Sequence, residues 1–159
     1  LNMVPVFPKP FPYYYTLGEA LDGLPENRAE KDRLIAEGLK YKWGTVAKKL
    51  PKNCKRAISG SSVMNGSYFN LIRESMYMPC STICQANGNA SAAGNIHPIE
   101  DRKFTIAELK RITSIPDDFI LTGDYAQQWE RLGRMVPPIM MMNISKTIQK
   151  EILEKCRTK

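Results

Sequence analysis

The sequence predicts an α+β chain, with helical segments at both ends and a small irregular sheet between them. Three observations predict it. Two Thr-x-x-Glu boxes, Thr16–Glu19 and Thr105–Glu108, stand where helices start, because the hydroxyl can accept from a first-turn amide while the glutamate reaches back. The stretch 53–95 is rich in Gly, Ser and Asn and holds two short β-type runs, 68–76 and 81–86. Near the C-terminus Met141, Ile144, Ile148 and Ile152 recur at intervals of three and four, the spacing of one amphipathic helical face.

Taken in order, residues 5–12 are proline-rich and are expected to be extended, since proline lacks a donor and biases its predecessor away from helix. A short helix from Thr16 stops at Gly23 and Pro25. A longer one covers 27–37, with Leu34, Ile35 and Leu39 available for burial. Another spans 44–50 and ends at Pro51. After the irregular middle, a helix follows Thr105 with Leu109 and Ile112 on its inner side. Asp124 caps a helix that ends at Gly133 and carries Trp129 and Leu132. The last helix starts near Pro137, where the first turn tolerates proline. Three segments follow from this reading: 1–52, 53–104 and 105–159.

The 159 residues suffice for one domain with its own core. The net charge of +7 suits a polyanionic partner. The basic residues read as dispersed rather than as one amphipathic face, and no apolar run is long enough to span a bilayer, so no membrane partner and a cytoplasmic location are expected. Cys54, Cys80, Cys84 and Cys156 show no disulfide-framework spacing, and with His97 as the single histidine no metal site is expected. The Met140–Met142 run reads as packing, and an uncovered part of that face could drive self-association.

Three blocks carry more specific information: His97-Pro98 through Arg102-Lys103-Phe104-Thr105 to Glu108, then Ile115-Pro116-Asp117-Asp118-Phe119, then Gly133-Arg134-Met135-Val136-Pro137-Pro138. In this order and spacing the chain resembles the C-terminal part of the bacterial and phage cytosine-5 DNA methyltransferases. Residues 4–24, with Phe7-Pro8-Lys9-Pro10, resemble the segment after that family's catalytic half, and 69–83 resemble its target-recognition domain.

The resemblance implies a target-recognition sheet at 53–104 and a C-terminal helix that packs on a Rossmann-like donor-binding domain supplied by an N-terminal catalytic domain or subunit. It implies S-adenosylmethionine as methyl donor, double-stranded DNA as partner and a place in restriction-modification chemistry. Arg73, Thr82 and Ile83 are the implied recognition residues. His97, Arg102 and Thr105 are the implied scaffold. Arg134, Met135 and Val136 are the implied donor-side residues, with Arg134 standing where Asn is usual. No catalytic residue is assigned: Pro79-Cys80 lacks the Gly-Pro before it and the Gln after it that mark the family's nucleophile loop. The chain alone is therefore expected to be inactive. The alternatives are a non-enzymatic DNA-binding module, the small subunit of a split methyltransferase, or an unrelated enzyme using Cys80.

Overall fold

The computed structural model describes residues 6–58 and 71–157. The chain forms two compact units: Tyr15–Met135, and a smaller one joining Leu1–Tyr14 to Val136–Lys159.

In the larger unit, α1 (Leu17–Leu21) starts at a capping box in which Thr16 Oγ1 accepts from Glu19 N–H and the Glu19 carboxylate accepts from Thr16 N–H. Its first amides bond the 76–78 turn, Leu17 N–H to Met78 O and Gly18 N–H to Met76 O, both at 2.9 Å. Helix α2 (Arg28–Leu39) is capped by Asn27, and α3 (Lys42–Ala47) follows at once. Trp43, Val46 and Ala47 on the inner side of α3 pack with Leu71 and Ile96 into one core.

Among the described residues the sheet has three strands, β1 (Arg56–Ile58), β2 (Leu71–Arg73) and β3 (Asn95–Ile96), in that spatial order. The β1–β2 pair is antiparallel and the β2–β3 pair parallel. Of the β-type run expected at 68–76, residues 68–70 lie outside the described residues, 71–73 form β2, and the backbone turns after Glu74. The run expected at 81–86 is not a strand: it is irregular and enters a 3₁₀ turn at Gln85–Gly88. The reason is packing from one side. Ile83 joins a second core with Leu17, Phe104, Leu109, Trp129 and Leu132, while Trp129 Nε1 donates to Cys84 O at 3.0 Å.

Helix α4 (Ile106–Ile112) begins at the Thr105–Glu108 capping box, and α5 (Tyr125–Arg134) begins at a third box formed by Asp124 and Gln127. Helix α5 lies against the 3₁₀ turn so closely that a Cβ on Gly133 would stand 2.6 Å from Gln85 N and Cα. In the smaller unit, α6 (Pro138–Ile148) opens with proline in its first turn, passes through a π turn at Gln149–Leu153 and continues as α7 (Glu154–Arg157). Helix α6 has no fully buried residue, and Ile139, Met140 and Met141 are exposed.

Candidate functional site

Buried cations organise the middle of the chain. Arg73, at the end of β2, is fully buried. Its Nη1 donates to the carbonyls of His97 (3.0 Å) and Glu100 (3.2 Å), and its Nη2 to Ala47 O (2.6 Å) and Asp101 Oδ1 (2.5 Å). Its Nε is buried with no hydrogen-bond partner. Arg73 was expected at the DNA; its guanidinium is instead committed inside the fold, tying β2 to α3 and to the 97–101 loop. The cations beside Asp101, Lys52 and Arg73, outweigh partial burial and hold its carboxyl below the usual range.

Arg102 is equally buried and makes a two-pronged pair with Glu108, Nη1 to Oε2 and Nη2 to Oε1, each 2.8 Å. Its Nε donates to Glu100 Oε2 at 2.7 Å and its Nη1 also to Lys103 O at 2.9 Å. Burial alone would lower the guanidinium pKa and raise that of Glu108; the bidentate pair reverses both, raising Arg102 and lowering Glu108. Glu108 also accepts from Thr105 N–H, so the capping box of α4 and the Arg102 pair share one carboxylate. The residues expected as scaffold are thus brought together.

His97 completes this cluster. Its Nδ1 accepts from Ile99 N–H (3.3 Å) and Glu100 N–H (3.1 Å), which leaves the ring proton on Nε2, 3.9 Å from Glu108 Oε1. Burial, then the Arg102 charge, push the imidazole down to about 4, so it is neutral at physiological pH. The ring borders a cavity of about 170 Å³ together with Leu21, Met76, Thr105 and Glu108.

The sequence assigns no buried role to Lys103 or Glu74. Lys103 Nζ donates to Asn87 O (2.5 Å) and Asn89 O (2.7 Å) and lies over the rings of Trp43 and Trp129 at 5.3 and 5.9 Å. Burial lowers its pKa to about 8, against the opposing pull of Glu37. Glu74 is fully buried: Oε2 accepts from Lys55 Nζ (2.5 Å) and Ser81 N–H (3.2 Å), and Oε1 accepts from Asn95 Nδ2 (2.7 Å). Neighbouring hydrophobic residues predict neither. A Lys or Glu beside a strand reads as solvated, and only the tertiary contacts reveal otherwise.

Glu74 and Lys55 fix the turn that leads to the expected recognition dipeptide. Lys55 Nζ also donates to Pro79 O, and Asn53 Oδ1 accepts from Met76 N–H. Within that turn Tyr77 is 75% exposed. Thr82 is exposed, while Ile83 is turned into the core. Cys80 sits beside this carboxylate; burial, then Glu74, push its thiol far above the ordinary range, which disfavours the reactive thiolate.

The three donor-side residues differ in burial and in contacts. Arg134 Nε donates to Gln85 Oε1 at 2.5 Å and its Nη2 pairs with Glu130 at 2.7 Å. Met135 packs partly buried on the second core. Val136 is 50% exposed and opens the smaller unit. None of the three lines the cavity beside His97. Among the described residues no group of three or more His, Cys, Asp or Glu is arranged to hold a metal ion. No described helix is long and apolar enough to cross a membrane.

An exposed turn beside buried ion pairs, two capped helices and a final helix with proline in its first turn stand in the chain order of the three sequence blocks. The family profile for C-5 cytosine-specific DNA methylase matches residues 10–150, and the chain belongs to that family. It is 29% identical over 128 residues to the type II methyltransferase M.DdeI of Desulfomicrobium norvegicum, covering 73% of this chain and 30% of that protein. It is 26% identical to M.NgoFVII of Neisseria gonorrhoeae over 147 residues, and 26% identical to M1.HphI of Haemophilus parahaemolyticus over 161. These cover 85% and 91% of this chain but 36% and 39% of those proteins, so the chain spans less than two fifths of each relative's length. No solved structure matches.

Proposed function

We propose that these residues supply DNA target recognition to a DNA (cytosine-5)-methyltransferase and help complete its donor site. The observation that carries the reading is the frame itself. Glu74, fully buried, holds Lys55 and Ser81 beside a turn whose tip is exposed, and buried Arg73 and Arg102 tie together the strand and loop next to it, a fixed base beneath an irregular surface of the kind that recognition uses. Thr82 is the family-matched residue positioned to approach the extruded cytosine, because a base inside the stack cannot be reached. Ile83 acts from within the core by fixing the backbone at Thr82. Arg73 acts as a positioning residue and not as a DNA contact, since its donors are spent on carbonyls and Asp101.

S-adenosylmethionine would supply the methyl group. The contribution of this chain is the 133–138 segment: Gly133 lets the backbone pass close to Gln85, and Val136 is an exposed apolar side chain beside it. Arg134 is engaged with Gln85 and Glu130, so the segment serves the donor through its backbone and Val136. Methyl transfer needs a thiolate loop that residues 1–159 do not contain, and Cys80 does not replace it. The exposed apolar side of α6 is the surface that would meet the donor-binding domain.

The test has two arms. Titration of duplex DNA with this chain should show salt-sensitive binding, and incubation with labelled S-adenosylmethionine and the same duplex should give no product. Absent binding sinks the recognition reading; incorporation of label sinks the assignment of the chemistry to other residues.

A further inference from the structure

The charge of this chain is not spread evenly. Residues 38–73 hold eight Lys and Arg and no Asp or Glu, while the rest of the sequence holds 15 Lys and Arg against 16 Asp and Glu. The whole positive excess therefore lies in one segment, which corrects the expectation that the basic residues are dispersed.

The structure separates these charges by task. Arg73 is buried on Asp101, Lys52 pairs with Asp101 at 2.7 Å, and Lys55 pairs with Glu74 at 2.5 Å. Lys40, Lys42, Lys48 and Lys49 are exposed. They flank or lie on α3. At 100° per residue, Lys48, Thr45, Lys49 and Lys42 fall within a continuous arc of about 120°. Trp43, Gly44, Val46 and Ala47 occupy the remaining arc and are buried. Of the acidic groups near this helix, Asp101 is occupied by Lys52 and Arg73, and Glu37 stands 3.8 Å from Arg33. The outer face of α3 therefore carries exposed lysines around an exposed threonine hydroxyl, and residues 38–73 add no carboxylate to it.

We infer that the outer face of α3, with Lys40, Lys42, Lys48 and Lys49 around Thr45, is the surface that grips the phosphate backbone of duplex DNA. This rests on the recognition reading above and adds where the polyanion is held. Long flexible ammonium groups fit this task, since backbone contacts position the duplex without reading its sequence. Arg73 couples this face to the recognition turn, because its Nη2 bonds Ala47 O at the end of α3. A duplex held on α3 is thereby held in a fixed relation to β2 and the turn that follows it.

The experiment compares this chain with two quadruple variants in duplex-DNA titrations over a range of salt. One is K40Q/K42Q/K48Q/K49Q. The other, K9Q/R28Q/K146Q/K150Q, removes equal charge from exposed positions elsewhere. Thermal melts and circular dichroism establish that both are folded. Each lysine holding a phosphate contributes about 0.9 to the slope of log affinity on log salt. The α3 variant should lose at least about two of that slope and about ten-fold or more in affinity at low salt, whereas the control keeps most of its slope. Lysine-to-arginine replacement at the four α3 positions should retain binding. Equal losses in the two variants overturn the α3 surface while leaving recognition standing. Failure of the unaltered chain to bind DNA overturns both. Binding of phosphatidylserine vesicles that depends on the four lysines, with DNA binding unchanged, assigns the face to a membrane and overturns the proposal.

Discussion

Removing Arg102 isolates the strongest element of the frame. Arg102→Ala deletes two 2.8 Å bonds to Glu108, one 2.7 Å bond to Glu100 and one 2.9 Å bond to the Lys103 carbonyl. Glu108 keeps only 5% of its side-chain exposure, so its carboxylate is left buried without its cation. Breaking a buried pair from one side costs about 3–5 kcal/mol. The Glu100 pair, one-third exposed, adds little. A loss of that size should lower the melting temperature by about 10 °C or more. Arg102→Lys should recover less than half of it, because an ammonium cannot reproduce the planar fork. The double change Arg102→Met with Glu108→Leu should recover more than the lysine does, since no charge is then stranded. The assay is thermal and urea unfolding of this chain, followed by DNA titration of the folded variants. An Arg102→Ala protein that melts within about 2 °C of the unaltered chain would refute the reasoning, because a bidentate buried pair cannot be removed silently.

Three further outcomes follow from the same structure. His97 has a folded pKa near 4 against 6.5 unfolded, so the unfolded chain binds more protons between those values and stability rises with pH across that window. The gap is worth roughly 3 kcal/mol, and His97→Gln should flatten the pH dependence of melting between about 4 and 6.5, leaving the loss from the lowered Glu108 carboxyl at lower pH. A slope unchanged by that substitution removes His97 as its source. Gly133→Ala should destabilise by about 1–3 kcal/mol, because the new Cβ meets backbone rather than a movable side chain; urea midpoints decide. Iodoacetamide at neutral pH, read by peptide mass spectrometry, should alkylate exposed Cys84 and Cys156 about ten-fold faster than Cys80; equal rates refute the buried-thiol reading.

Legibility in the sequence tracked how local each cause was. The caps at Thr16 and Thr105 were readable because both partners lie within one turn. The Asp124 cap was also readable, though its Gln127 half was passed over. Strands β1 and β3, of three and two residues, are too short to show a period and were not expected. Residues 81–86 looked like a strand because Ile83 is apolar between polar neighbours, yet one inward side chain serves an irregular segment equally well. The scaffold trio was legible only through the family resemblance. The inward course of Arg73, Glu74 and Lys103 was not legible at all, since a charged residue carries no local mark of burial. The lysine face of α3 is present in the sequence as an acid-free segment, which a charge count over the whole chain averages away.

The buried cations answer a problem that the fold creates. Strands of two and three residues satisfy few backbone carbonyls, and the irregular segments around them leave many more to be bonded. Long donor-rich side chains reach them. Arg73 takes the carbonyls of Ala47, His97 and Glu100, Lys103 those of Asn87 and Asn89, and Lys55 that of Pro79. Trp43 and Trp129 donate their indole N–H groups to Ala90 and Cys84 in the same way. Each bond crosses between segments far apart in sequence, so the loops are held by side chains where a larger sheet would hold them by ladders. Such a frame leaves the exposed turn free to vary in sequence without loss of the base beneath it. Replacement of exposed Tyr77 should therefore alter DNA binding with little change in melting temperature, whereas replacement of Arg73 should lower both.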